Sequence, residues 1–241
     1  MEDRPPAAPD PSFPPGPPPS GSSGPPSVPP TTGDVIPWER PGLDAFSAFG
    51  RTISMLIGSP RRAFESMPLT SAFGRPLVFG IIVGWIGILA GTFWNLLLRG
   101  WVQSMFPWAN SRWNEISATM RIVSAMAAPI YIPIALLIGA AIQHLFLTLV
   151  GGAKRGFMAT FRVQCYAGAT LIFAVVPACG SIVGLVWSLV LAVIGLSTAH
   201  GISTGKATAA VLLPLLLCCG CVALSIAIFG AAIFGAMGMH R

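Results

Sequence analysis

Negative charge is nearly missing from the larger part of this sequence: after Pro76, Glu115 is the sole carboxylate side chain. That scarcity argues against a proton relay built from Asp and Glu, and leaves no paired carboxylates for acid–base catalysis. Charged residues of both signs make up 9% of the chain, against about 25% in an ordinary soluble domain. The 14 Lys and Arg give a net charge of +6 but form no dense patch interleaved with aromatics, so nucleic acid is excluded as a partner. They flank apolar segments instead, as topology determinants do. None of the usual signs of a cleaved signal peptide is visible, and the first long apolar run is expected to act as an uncleaved anchor.

Catalytic and metal-binding patterns are equally scarce. No Ser/His/Asp set, phosphate-cradling glycine loop or metal motif stands out, so no catalytic residue, cofactor or metal is expected and the chain does not read as an enzyme. The five cysteines lie in or beside apolar runs and imply no oxidising compartment. Cys218, Cys219 and Cys221 point in diverging directions on a helix with no further ligand nearby, so small apolar packing is expected of them. His144 and His200 fall at the ends of apolar runs, where interfacial placement is expected.

What is present is apolar length. Hydrophobic residues make up 54% of the chain, concentrated in runs at 76–98, about 127–150, about 161–199 and 207–237. A helix of roughly 20 residues matches the ~30 Å hydrocarbon core of a bilayer. The predicted fold is therefore all-α, a polytopic transmembrane bundle of five spans. The 161–199 region is too long for one crossing and is interrupted at Pro177 and Gly180. It reads as the third and fourth spans in a tight hairpin.

The chain divides into three parts: a Pro-rich tail over 1–42, juxtamembrane amphipathic helices over 43–75, and a transmembrane domain over 76–241. Thirteen of the 23 prolines fall within 1–33, a composition that predicts a disordered spacer with polyproline II character. Phe46, Phe49, Ile53, Leu56 and Ile57 recur at helical spacing. Ser59-Pro60 then marks the start of a second short helix. Such a segment is expected at the membrane interface, with Arg51, Arg61, Arg62, Lys154 and Arg155 contacting anionic headgroups; packing against the transmembrane domain itself is the alternative.

Two stripes of small residues predict close packing. Gly80, Gly84, Gly87 and Gly91 share about a 60° arc of one helix. Gly184, Ser188 and Gly195, with Ser181, Ala192 and Ala199, share about a 90° arc of another. They are expected to mark helix contacts within one chain or between two. Trp101, Trp108 and Trp113 predict a loop over 99–125 that hugs the membrane surface. Pro129 and Pro133 predict a bent or unwound end to the second span, and Arg162 is expected to snorkel at the entry of the third. Basic residues concentrate on the amino-terminal side of the first span and in the 150–162 and 200–206 connections. This places the amino terminus in the cytoplasm and the carboxy terminus outside.

The stretch 144–214 resembles the Yip1 domain of bacterial members of that family. The resemblance rests on the ordered features Gly151-Gly152, Phe161-Arg162-Val163 before Tyr166-Ala167, Val176-Pro177 with Gly180, Trp187, Ile194-Gly195-Leu196, and His200-Gly201-Ile202 ahead of Lys206-Ala207. Ser59-Pro60 through Phe64 and the first span fit more weakly, so the likeness extends over about 44–235. It implies a cytoplasmic tail, five transmembrane segments and a bacterial inner-membrane location. Eukaryotic relatives act in vesicle traffic, associate with prenylated Rab-type GTPases and with one another, help shape membranes, and are not known as enzymes. No partner-binding residue carries over, because their tail motifs have no counterpart in this Pro-rich segment. The function implied is a non-catalytic membrane organiser or adaptor. Its expected partners are the lipid bilayer, a second copy or other membrane proteins, with no small-molecule substrate. A small channel or permease built on Pro-broken helices is the alternative.

Overall fold

The computed structural model describes residues 35–69, 72–105, 117–177 and 179–238. Most of the tail, 1–34, lies outside the described residues, as do Trp108 and Trp113. Among the described residues the chain is all helical. Eight α-helices follow a short 3-10 turn at Pro37–Glu39: α1 (Ala45–Gly58), α2 (Pro60–Glu65), α3 (Gly74–Met105), α4 (Ala118–Met126), α5 (Ala128–Leu149), α6 (Gly156–Ala167), α7 (Cys179–His200) and α8 (Thr204–Gly238). A second 3-10 stretch, Gly168–Val175, continues α6. Five segments are long and apolar enough to cross a bilayer: Gly74–Trp101, Ala128–Leu149, Gly156–Val175, Cys179–His200 and Thr204–Phe229.

Local signals account for the helix ends. Asp44 caps α1, its carboxylate accepting the Ser47 N–H at 2.9 Å. That backbone bond, followed by the Ser47 side chain, holds the Asp44 pKa below the ordinary carboxylate value. Ser59 ends α1 and precedes Pro60, whose fixed φ suits the first position of α2. Pro129 sits in the first turn of α5, where no N–H is needed, and α5 stays continuous through Pro133. The break falls instead at Ala127, between α4 and α5. The expected loop over 99–125 is in part helical, because α3 runs on to Met105 and α4 begins at Ala118.

Gly151, with φ +65°, and Gly201, with φ +61°, form tight turns that bring the ends of α5, α6, α7 and α8 together. Lys206 Nζ donates to the Gly151 carbonyl at 3.5 Å across this end. At the opposite end, Trp94 Nε1 of α3 donates to the Val175 carbonyl at 3.0 Å. The α6–3-10 segment is the central element: α3, α5 and α7 all pack on it. Phe161–Ala167 are buried apart from the half-buried Gln164. By contrast only 6% of the α8 span is buried, with contacts to α5 and α7 alone among the stronger packing partners.

Residues 35–40 form a strap that packs on α1 and α3. Ile36 is fully buried, and its N–H donates to the Ser66 carbonyl at 3.0 Å. Trp38 donates its backbone N–H to Thr52 Oγ1 at 2.9 Å and its indole N–H to the Arg75 carbonyl at 2.6 Å. This strap belongs to the folded unit because Ile36 and Trp38 add apolar surface that the proline-rich stretch lacks.

Candidate functional site

A buried charge cluster joins the strap to the centre of the bundle. Arg162 lies two turns into α6 and is 0% exposed, which corrects the expectation that it snorkels to the surface. Its Nη1 donates to Glu39 Oε1 at 2.8 Å, and its Nη2 donates to the Ala72 carbonyl at 2.8 Å. The Tyr166 hydroxyl donates to the same Glu39 oxygen at 2.6 Å. A guanidinium this deep needs a counter-charge and further acceptors to offset its desolvation. Glu39 supplies the charge from 123 residues away in sequence. Trp38, Phe49, Phe79 and Tyr166 form a series of edge-on and tilted ring contacts that ends at this cluster, with centroids 5.2–5.7 Å apart along the Trp38–Phe79–Tyr166 line.

A second polar chain lies where α5, α6 and α7 meet. The Arg155 N–H donates to His200 Nδ1 at 3.2 Å, so that nitrogen accepts. With a neutral ring, His200 Nε2–H then donates to Thr160 Oγ1 at 3.0 Å, and the Thr160 hydroxyl donates to His144 Nδ1 at 2.9 Å. His200 is 1% exposed and so lies inside the bundle rather than on its surface. Thr160, whose hydroxyl meets both imidazoles, is itself 1% exposed. Among the described residues no group of three or more His, Cys, Asp or Glu side chains is placed to hold a metal ion.

The small-residue stripes face α5, the central segment and α2 rather than each other. A methyl group added at Gly80 would lie 2.9 Å from Leu136 Cδ1, one at Gly84 3.3 Å from Ile132 Cδ1, and one at Gly87 3.0 Å from the Leu171 carbonyl oxygen. One at Gly184 would lie 2.9 Å from the Thr170 carbonyl oxygen. One at Gly195 would lie 2.6 Å from Val163 Cγ1 and 2.9 Å from Phe64 Cζ of α2. Gly91 faces open space, and Ser188 is half-buried with its hydroxyl bonded to the Leu185 carbonyl. Arg51, Arg61, Arg62, Lys154 and Arg155 are all exposed. Cys218, Cys219 and Cys221 are exposed on α8 instead of packed.

A groove of about 810 Å³ opens between α5, the α6–3-10 segment, α7 and α8. Gln143, Gln164, Ser181 and Ser188 give polar character to its otherwise apolar lining, and Pro214 borders it on α8. The Gln143 amide donates to the Ala210 carbonyl at 2.8 Å, within the turn whose hydrogen bonding Pro214 interrupts.

Glu39 is the functional-site residue that sequence reasoning missed. A signal was present, since a lone Arg162 in an apolar run implies a distant carboxylate, and few exist in the chain. Neither the curated proteins nor the solved structures contain a match to this sequence. The Yip1 domain profile, however, matches residues 53–235, from within α1 to near the end of α8. Five apolar helices and a match over most of its length make this chain a multi-pass membrane protein that belongs to the Yip1 domain family.

Proposed function

We propose that the protein is a non-catalytic membrane organiser or adaptor that acts through its lipid-facing helices and its juxtamembrane platform. The observation that carries this reading is the docking of α1 and α2 on the span bundle. Phe64 packs against Gly195 and Val163, and Glu39 ties the strap to Arg162. Arg51, Arg61, Arg62, Lys154 and Arg155 form the accompanying basic surface, suited to anionic headgroups. The 156–200 region is a transmembrane hairpin in this reading. The 12 α-helical residues of α6 and the eight 3-10 residues rise about 34 Å together, enough to cross the hydrocarbon core. The basic excess at the platform end favours a cytoplasmic amino terminus and an external carboxy terminus, and the resemblance to bacterial members of the family supports a bacterial inner membrane as the location. Lipid is the first partner, and a second copy or another membrane protein would meet the exposed faces of α8. Reconstitution into vesicles tests the organiser role: altered vesicle shape or size with the intact protein supports it, and unchanged vesicles at high protein density refute it.

A permease is the second reading, supported by the groove with Gln143, Gln164, Ser181 and Ser188 between spans beside Pro214. Solute flux above that of empty vesicles, abolished by Ser188→Leu, would favour it over the organiser.

A further inference from the structure

Outside the span bundle, a cavity of about 520 Å³ lies between the 35–40 strap and the α1–α2 corner. One wall carries Pro37 and Arg40, the other Ser59, Arg62, Glu65 and Ser66. Two arginines from separate parts of the chain thus line one concavity. Arg40 is half-buried, with Nη2 donating to the Val35 carbonyl at 3.3 Å, which holds its side chain along the wall. Arg62 is exposed at the mouth. Among the described lining residues Glu65 is the one acidic group, and its Oε1 accepts from Arg61 Nε at 3.0 Å, so a third arginine offsets its charge. The Ser59 hydroxyl makes no capping bond to α2, whereas that of Ser66 is engaged with the Ala63 carbonyl.

We propose that this cavity binds a phosphate-bearing anion, with Arg40 and Arg62 as its charged contacts and the Ser59 hydroxyl as a neutral donor. Paired planar guanidinium forks match the several oxygens of a phosphate better than the single axis of a carboxylate. The volume exceeds that of phosphate alone and leaves room for an attached polar group. Such an anion arrives either as a lipid headgroup or as a soluble phosphoester, and both present the same oxygens. Because one wall is the strap, held by the Ile36–Ser66 backbone bond and the Glu39–Arg162 pair, the bound anion would bridge the strap to α1 and α2. The proposal deepens the membrane-surface reading of Arg62, and rests on it only where the phosphate is lipid-borne.

The test uses the full chain in phosphatidylcholine nanodiscs, with two probes: phosphatidylglycerol added to the bilayer and glycerol 3-phosphate added to the buffer. Retained phosphatidylglycerol is read by native mass spectrometry, and glycerol 3-phosphate binding by calorimetry. Wild type is expected to bind at least one probe. Arg40→Gln and Arg62→Gln should each weaken that binding about tenfold, the loss of one charge-assisted contact. Arg75→Gln, exposed on α3 and off the cavity wall, should leave it unchanged. Arg40→Lys, which keeps the charge and loses the fork, should fall between, and guards against misfolding of the glutamine variant. Arginine-dependent binding of the lipid alone identifies a headgroup site, and arginine-dependent binding of the soluble probe identifies a phosphoester site. Equal loss in all three glutamine variants, or no binding of either probe by wild type, overturns the proposal. A polarity-sensitive dye on Phe46→Cys, at a position 88% exposed, reports separately whether α1 touches lipid. The membrane reading can therefore fail while the cavity stands.

Discussion

At the scale of single residues, Glu39 and Arg162 set the strongest requirement. Removing one member of a buried ion pair leaves an uncompensated charge, typically at a cost of 3–5 kcal/mol. Glu39→Ala is expected to lower detergent-solubilised stability by about that amount, read as a fall in unfolding temperature. Glu39→Leu combined with Arg162→Met should recover most of the loss, because no charge is then stranded. A double variant no more stable than the single one would mean that Arg162 does not depend on Glu39. The glycines separate in the same way. Gly195→Leu drives a side chain into Val163 and Phe64 and is expected to cost about 1–3 kcal/mol or more. Gly91→Leu, which faces open space, should stay within about 0.5 kcal/mol of wild type in the same unfolding assay. A large loss at Gly91 would instead place that position against a second copy.

Much of this detail was only partly legible beforehand. The stripe of Gly80, Gly84 and Gly87 could be read from spacing, because a helix repeats its faces every 3.6 residues. What those glycines face could not. Periodicity along one helix carries no information about its neighbour, here Leu136, Ile132 and Leu171. Glu39 was hidden for a related reason. It follows a proline-rich stretch, and composition assigns its neighbourhood to the tail. Only the depth of Arg162 reveals that a carboxylate is needed.

At the scale of elements, α2 matters beyond its six residues. Phe64 is 2% exposed and Ala63 is fully buried, so this short helix is held by packing and not by its own propensity. Phe64→Ala is expected to cost about 3–5 kcal/mol and to expose the α1–α2 linkage to protease while the spans remain protected. Cleavage no faster than in wild type would show that the platform is fixed elsewhere. The 3-10 continuation of α6 was not legible at all. Its sequence GATLIFAV reads simply as an apolar helix. Its tighter winding coincides with the close approach of Gly87 and Gly184 to Leu171 and Thr170.

For the whole molecule, the proposed five crossings, being odd in number, would put the two termini on opposite sides of the membrane. Reporters fused to each end are expected to signal from different compartments, the amino-terminal one from the cytoplasm. Signals from the same compartment would reduce the crossings to an even number and remove the hairpin reading. The exposed α8 leaves the bundle with one face still available to lipid or to another protein.

The sequence by itself determined that the chain lives in a bilayer, where the spans fall and to which family they belong. Apolar length and charge depletion act locally and need no knowledge of neighbours. Only the tertiary structure decided that the strap is part of the fold, that α6 lies at its centre, and that Arg162 answers to Glu39. Those facts depend on contacts between residues distant in sequence, set by how desolvated charge and apolar surface are matched in three dimensions.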